Sequence, residues 1–173
     1  MNEFALATLG LLVVTAAPYV LYLGVFLLIQ PRGSPANKSS CEPSVSILLP
    51  TYNEEQIIEG KLDDLLNLEY PMEKVELVVV DSSTDDTSTV VEEYFADIDV
   101  PSLTLIEEQN RAGVARAINY AMKSISSEVV FRTDCDSRLA PDALAESVAN
   151  LDDENVSAVT GRQATVLGES AVE

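Results

Sequence analysis

Histidine is absent from this 173-residue chain, and cysteine occurs only twice, as Cys41 and Cys135. That scarcity excludes a zinc site built on His and Cys, and it excludes a disulfide-stapled secreted scaffold. Any metal must be held by oxygen. Basic residues are few as well: ten Lys and Arg face 29 Asp and Glu, for a net charge of −19. Such a surface repels polyanions, so nucleic acid is excluded as a partner. Two phosphate-binding signatures are also missing. There is no G-x-G-x-x-G after the first apolar run and no G-x-x-x-x-G-K-[ST], which excludes the dinucleotide fingerprint and the P-loop. Apolar residues, at 47%, are plentiful enough to exclude a wholly disordered acidic chain.

Those apolar residues are unevenly spread. Phe4 to Ile29 carries no charge, and 21 of its 26 positions are apolar. As a helix this run reaches roughly 39 Å, whereas a bilayer core of about 30 Å needs about 20 residues. Residues 4–29 therefore read as a transmembrane helix, with Pro18 as a tolerated kink. A cleaved signal peptide fits less well, because the start, Met1-Asn2-Glu3, is acidic and the core too long. Arg32 and Lys38 follow the span and no basic residue precedes it. The positive-inside rule then predicts a single-pass protein of the cell membrane with its soluble part in the cytoplasm. Residues 30–43, rich in Pro, Ser and Gly, read as an extended linker, and 44–173 as the ordered domain.

From Ser44 onward, β-rich runs alternate with helix-period stretches. Strands are predicted at Val45–Pro50, Val75–Val80, Leu103–Glu107 and Glu128–Thr133, and a fifth opens at Val156–Thr160. Helices are predicted at Glu54–Leu68, Asp85–Ala96 (capped by Ser83 or Thr84), Ala112–Ile125 and Pro141–Leu151. The alternation implies an α/β fold, a mostly parallel sheet flanked by helices. Strands that read as continuous apolar runs fit burial on both faces.

In such sheets function sits at the C-terminal strand ends. Acids lie near the predicted mouth at three of the four ends: Glu54 and Glu55 after the first, Asp81 and Asp85 after the second, Asp134 and Asp136 after the fourth. The Asp134-x-Asp136 pair is the sharpest feature. At a strand end Cys135 points away, so the two carboxylates can converge. They repel each other unless a cation lies between them. Magnesium or manganese commonly bridges one or two carboxylates to phosphate oxygens. Taken alone, the pair also fits a solvated turn in an acidic chain. Thr51 and Asn53 could equally cap the first soluble helix, Asp81 could be a plain turn residue, and Arg111 could merely offset local acidity.

The stretches VSILLPTYNEEQIIEGKLDDLLNLEYP, VELVVVDSSTDDT, EEQNRAGVARAINYAM and EVVFRTDCDSRLAPDAL occur in an order and spacing that resembles glycosyltransferase family 2, over roughly Ser44 to Arg162. The resemblance implies the nucleotide-sugar half of a Rossmann-like GT-A fold. It implies a nucleotide pocket lined by Pro50, Thr51, Tyr52 and Glu54, with Asp81 on the base. It places Asp134 at the ribose or sugar, Asp136 (with Asp134) on a divalent manganese or magnesium ion, and Arg111 near the diphosphate. The implied activity is inverting, metal-assisted transfer of a hexosyl or N-acetylhexosaminyl group from a nucleotide sugar to a lipid-linked or polysaccharide acceptor at the membrane. Gly113 would permit close approach at a helix start. The family's general base should lie beyond Glu173, and Glu169 and Glu173 are too near the acid pair in sequence to serve. The domain thus reads as incomplete at its C-terminal side, and a noncatalytic nucleotide-sugar-binding fragment or regulatory subunit is the alternative. Scattered acids such as Asp63-Asp64, Glu92-Glu93 and Asp152-Asp153-Glu154 suggest a halophilic, salt-adapted host.

Overall fold

A computed structural model describes residues 2–29, 36–108, 111 and 113–162. It divides into two compact units, one holding the N-terminal helix and the other beginning at Ala36. The first unit is α1, Glu3–Ile29, which runs through Pro18 without interruption. Its 27 residues and apolar composition make it long and apolar enough to cross a membrane. None of its residues is buried within the protein. Thr8 and Thr15 turn their hydroxyls back onto the carbonyls of Phe4 (2.8 Å) and Leu11 (2.9 Å), which satisfies these hydroxyls within the helix itself.

The second unit is built on four parallel strands: β1 Val45–Thr51, β2 Val75–Asp81, β3 Ser102–Glu107 and β4 Val129–Arg132. Their order is β3-β2-β1-β4. The chain therefore winds outward from β1 through β2 to β3, then crosses back to pair β4 with the other side of β1. The reversal lies between β1 and β4, which is where a wound sheet opens a crevice at its C-terminal edge. Four helices accompany the strands: α2 Ile58–Leu66, α3 Thr87–Phe95, α4 Val114–Ala121 and α5 Ala143–Leu151.

Strand alternation sorts the core into two clusters. Val45, Ile47 and Leu49 of β1 face one way with Leu77 and Val79, and pack against Ile58, Leu62 and Leu65 of α2, Val91 and Phe95 of α3, and Leu144 and Val148 of α5. Leu48, Val78 and Val80 face the other way, onto Ala117 and Ala121 of α4. Each fully buried Leu or Val contributes roughly 1.5–3 kcal/mol relative to exposure.

Three differences from the sequence reading stand out. The run Val156–Thr160 forms no strand: it is largely exposed and pairs with nothing among the described residues, and an extended run without a hydrogen-bonded neighbour is no ladder. The α3 cap is neither Ser83 nor Thr84. The N-cap is Asp86, which makes no side-chain cap bond; just before it, Asp85 Oδ1 accepts from the Thr87 amide at 3.1 Å and the Thr87 hydroxyl at 2.5 Å. Residues 36–43, read as part of a tether, lie along the second unit. The Ser39 amide donates to the Ala149 carbonyl (3.3 Å), and Tyr70 Oη donates to the Pro43 carbonyl (2.7 Å). Residues 30–35 of that segment, and 163–173 of the domain, lie outside the described residues.

Candidate functional site

β1 and β2 end in register, with Thr51 beside Asp81. That register puts a hydroxyl against a carboxylate: Thr51 Oγ1 donates to Asp81 Oδ1 at 2.7 Å, and Ser83 Oγ donates to the same oxygen at 2.5 Å. Asp81 is buried, at 4% exposure, and two charge-assisted bonds hold it there. The two following loops are then cross-stapled. Asn53 sits in the left-handed region at φ 56°, a conformation Asn tolerates better than most residues. In that conformation its amide donates to Ser83 Oγ (2.7 Å) and its Oδ1 accepts from the Thr84 amide (2.8 Å). The Glu54 amide donates to Thr87 Oγ1 at 2.9 Å. Thr51 and Asn53 thus join two loops and do not cap α2, which has no side-chain cap.

Beyond β4, alternation does what the spacing predicts. Cys135 is buried within the larger core cluster while Asp134 and Asp136 are exposed on either side of it. Burial pushes the Cys135 thiol up to about 11, with the nearby Glu54 carboxylate adding to the shift. The thiol stays protonated and serves as a filler. Partial burial raises the Glu54 carboxyl above its ordinary value, helped by the negative charges of Asp136 and then Asp85. Asp134 is paired with Arg132, whose Nη2 donates to Oδ1 at 2.7 Å.

These pieces line one open cleft of about 370 Å³ at the strand reversal. Pro50, Thr51, Tyr52 and Glu54 form one wall; Asp134 and Asp136 form another; Arg111, Gly113 and the start of α4 form a third. The Arg111 guanidinium lies over the Tyr52 ring, 3.8 Å from its centroid, a cation–π contact that bridges two walls. Of the residues that the resemblance places on nucleotide, sugar or metal, only Asp81 is not on the lining. Its carboxylate stands behind Thr51, with both hydroxyl donors on Oδ1. Arg138 lies away from the cleft, its guanidinium on the Gly60 carbonyl, and Arg162 is exposed and off the lining.

The sequence reading missed two lining residues that matter, Ser82 and Arg132. Arg132 had a legible signal, since a residue two before Asp134 on a strand shares its face. Among the described residues no three Asp, Glu, His or Cys side chains group to hold a metal. Two exposed carboxylates with a third raised beside them suit a hard cation completed by phosphate oxygens, and do not form an all-protein cage.

The comparisons agree with this architecture. The family model for glycosyl transferase family 2 matches residues 46–171. This chain belongs to that family. A probable glycosyltransferase, YdaM of Bacillus subtilis, is 32% identical over 69% of the chain and 29% of its own length. The beta-monoglucosyldiacylglycerol synthase of Nostoc sp. is 31% identical over 78% of the chain and 29% of its length. Among solved structures, a mannosyltransferase from Pyrobaculum calidifontis in complex with GDP-Man and Mn2+ is 37% identical. It superposes with a TM-score of 0.73, covering 84% of this chain and 44% of that one. The fold is therefore GT-A-like. The chain spans about 29% of the length of these curated relatives.

Proposed function

We propose that this chain supplies the donor site of a membrane-anchored, inverting glycosyltransferase that takes a sugar from a nucleotide sugar to a glycan or lipid acceptor. The observation that carries this reading is the convergence of Tyr52, Glu54, Arg111, Asp134 and Asp136 on one cleft at the strand reversal of a family 2 domain.

In this reading Asp81 receives the base. Among the described residues nothing bonds its Oδ2, and the two hydroxyls on Oδ1 fix the carboxylate's direction. Asp134 reaches the ribose or sugar, releasing Arg132 toward the diphosphate. Asp136, with Asp134, would hold a manganese or magnesium ion. Such an ion, when bound, offsets the charge that develops on the departing diphosphate. Arg111 adds a second positive charge on the opposite wall, and the cation–π contact with Tyr52 orients it. Gly113, at φ 92°, leaves open space before α4, so a diphosphate can approach the backbone there. In this reading acceptor deprotonation falls to a carboxylate base other than the cleft residues named above.

A structurally similar relative bears Mn2+ and GDP-Man, which supports a divalent cofactor. The Nostoc relative is named for a diacylglycerol product, which supports a lipid-side acceptor. An α1 that spans the bilayer, with the domain in the cytoplasm, would hold the cleft at that surface. The dispersed acids would suit a salt-rich cytosol.

Calorimetry on the full chain in detergent, with GDP-mannose and UDP-N-acetylglucosamine, with and without Mn2+, tests the proposal. Metal-dependent binding that is lost in Asp136→Ala supports it. Absence of binding by any nucleotide sugar sinks it. Turnover of a labelled donor then separates an enzyme from a binding subunit.

A further inference from the structure

α2 carries an anomaly. Lys61 falls on the helix face that Ile58, Leu62 and Leu65 bury, and it is itself 1% exposed. Burying an ammonium is costly unless it is paired and hydrogen-bonded. An apolar side chain of the same length would fill that volume at lower cost. What it could not do is donate, and the Lys61 ammonium donates to the Ser137 carbonyl at 2.8 Å. Ser137 directly follows Asp136.

The contact is one of several between α2 and that turn. Lys61 also meets Asp64 Oδ2 at 3.4 Å. The same Asp64 oxygen accepts from the Leu139 amide at 3.0 Å. Arg138 reaches back to the Gly60 carbonyl, and a Cβ on Gly60 would come within 3.1 Å of that guanidinium. Within the turn, Ser137 Oγ donates to the Asp134 carbonyl at 2.7 Å and lies 3.0 Å from Thr133 Oγ1. The far half of the turn is thus fixed to α2, and the near half to the far half. One turn, residues 55–57, joins the Tyr52–Glu54 loop to α2, and the Ile58 amide donates to the Glu54 carbonyl at 2.9 Å, so one helix references two walls of the cleft.

We propose that Lys61 is a positioning residue for the acid pair: through Ser137, and jointly with Asp64, it fixes the turn that presents Asp134 and Asp136. The role in ligand binding rests on the donor-site reading above; the mechanical coupling does not. Removing an outer partner of this kind costs about 10–100-fold in metal affinity.

The test compares the full chain in detergent, wild type against Lys61→Met, by two measurements. The first is amide hydrogen exchange without ligand. The account expects exchange at Ser137–Leu139 to quicken by about tenfold or more while β1 and β2 keep their protection. Unchanged exchange in the turn overturns the proposal whatever the chain binds. The second is Mn2+ titration in the presence of GDP, read by loss of the free-ion paramagnetic signal. Affinity should fall about tenfold or more. Equal affinity in a folded variant with a loosened turn reduces Lys61 to a structural role and overturns positioning. If wild type binds no Mn2+ with GDP, the donor-site reading fails and the positioning role fails with it, while the exchange result still decides the mechanical coupling. Asp64 provides the second handle. Asp64→Ala should reproduce both effects, and Asp64→Asn, which keeps an oxygen for the Leu139 amide, should restore most of the protection; equal effects from the two would contradict the mechanism.

Discussion

The two faces of the sheet are built to different depths. Among the described residues, one face is covered by α2, α3 and α5 and holds sixteen buried apolar residues; the other is covered by α4 and holds five. On the thinner side Val114, Tyr120 and Val130 remain 49%, 53% and 37% exposed. The cleft draws its walls from both. Val80, Val114 and Ala117 come from the thin side, whereas Cys135, which sets the acid pair, is rooted in the thick side. The thick face supplies stability and the fixed reference for the carboxylates. In the proposed reading the thin face supplies open space for the donor.

The most direct way to break this comparison is a pair of truncations. Leu62→Ala, in the thick cluster, should cost about 2–5 kcal/mol in urea unfolding. Ile118→Ala, half-buried under the thin face, should cost less than half as much, and equal costs would contradict the division.

Next in size is Arg111→Ala. It should weaken nucleotide diphosphate binding by about 1.5–3 kcal/mol, the worth of a charged hydrogen bond. It should leave unfolding unchanged, because Arg111 is exposed. A loss of stability with unchanged binding would make it a surface charge only.

Tyr70 sharpens the comparison by pH. It belongs to the thick cluster, and burial pushes its phenol up to about 12 from an ordinary 10. The folded chain therefore keeps a proton that the unfolded chain has lost between those values. Its contribution is fully present below pH 10 and declines as pH rises toward 12. Tyr94, whose hydroxyl donates to Asp63 at 2.6 Å and is also raised to about 12, adds to the same decline. Tyr70→Phe should cost about 1 kcal/mol at neutral pH through its lost bond to Pro43, and should shallow the alkaline loss. An unaltered alkaline slope would count against the assignment.

The smallest effect concerns the whole surface. Raising KCl toward molar concentration should raise the thermal midpoint, since 29 acids against ten bases repel one another until screened. A flat or falling midpoint removes the salt-adapted reading.

Much of the fold was legible because its signals are local. β1, β2 and β3 are short apolar runs, and each was placed to within a residue at either end. The acid pair was legible because period-two alternation around Cys135 needs no tertiary knowledge. Val156–Thr160 failed because β-propensity does not say whether a partner strand is present. Asp81 was correctly placed at a strand end, but its direction depends on the register of Thr51 beside it, which only the sheet provides. Lys61 had a signal that went unread, a charge in phase with Ile58, Leu62 and Leu65. Periodicity marks that position as core, and its partner in the Ser137 turn lies 76 residues away.

The central claim is a cation shared between the acid pair and a diphosphate. Pulsed electron–nuclear double resonance of Mn2+ bound to the full chain with GDP reads that arrangement directly. The account predicts phosphorus couplings of directly coordinated phosphate in the wild type, and their loss with the bound ion in Asp136→Ala. Phosphorus coupling of equal strength in Asp136→Ala, or protein-bound Mn2+ with no phosphorus coupling in the wild type, would contradict it.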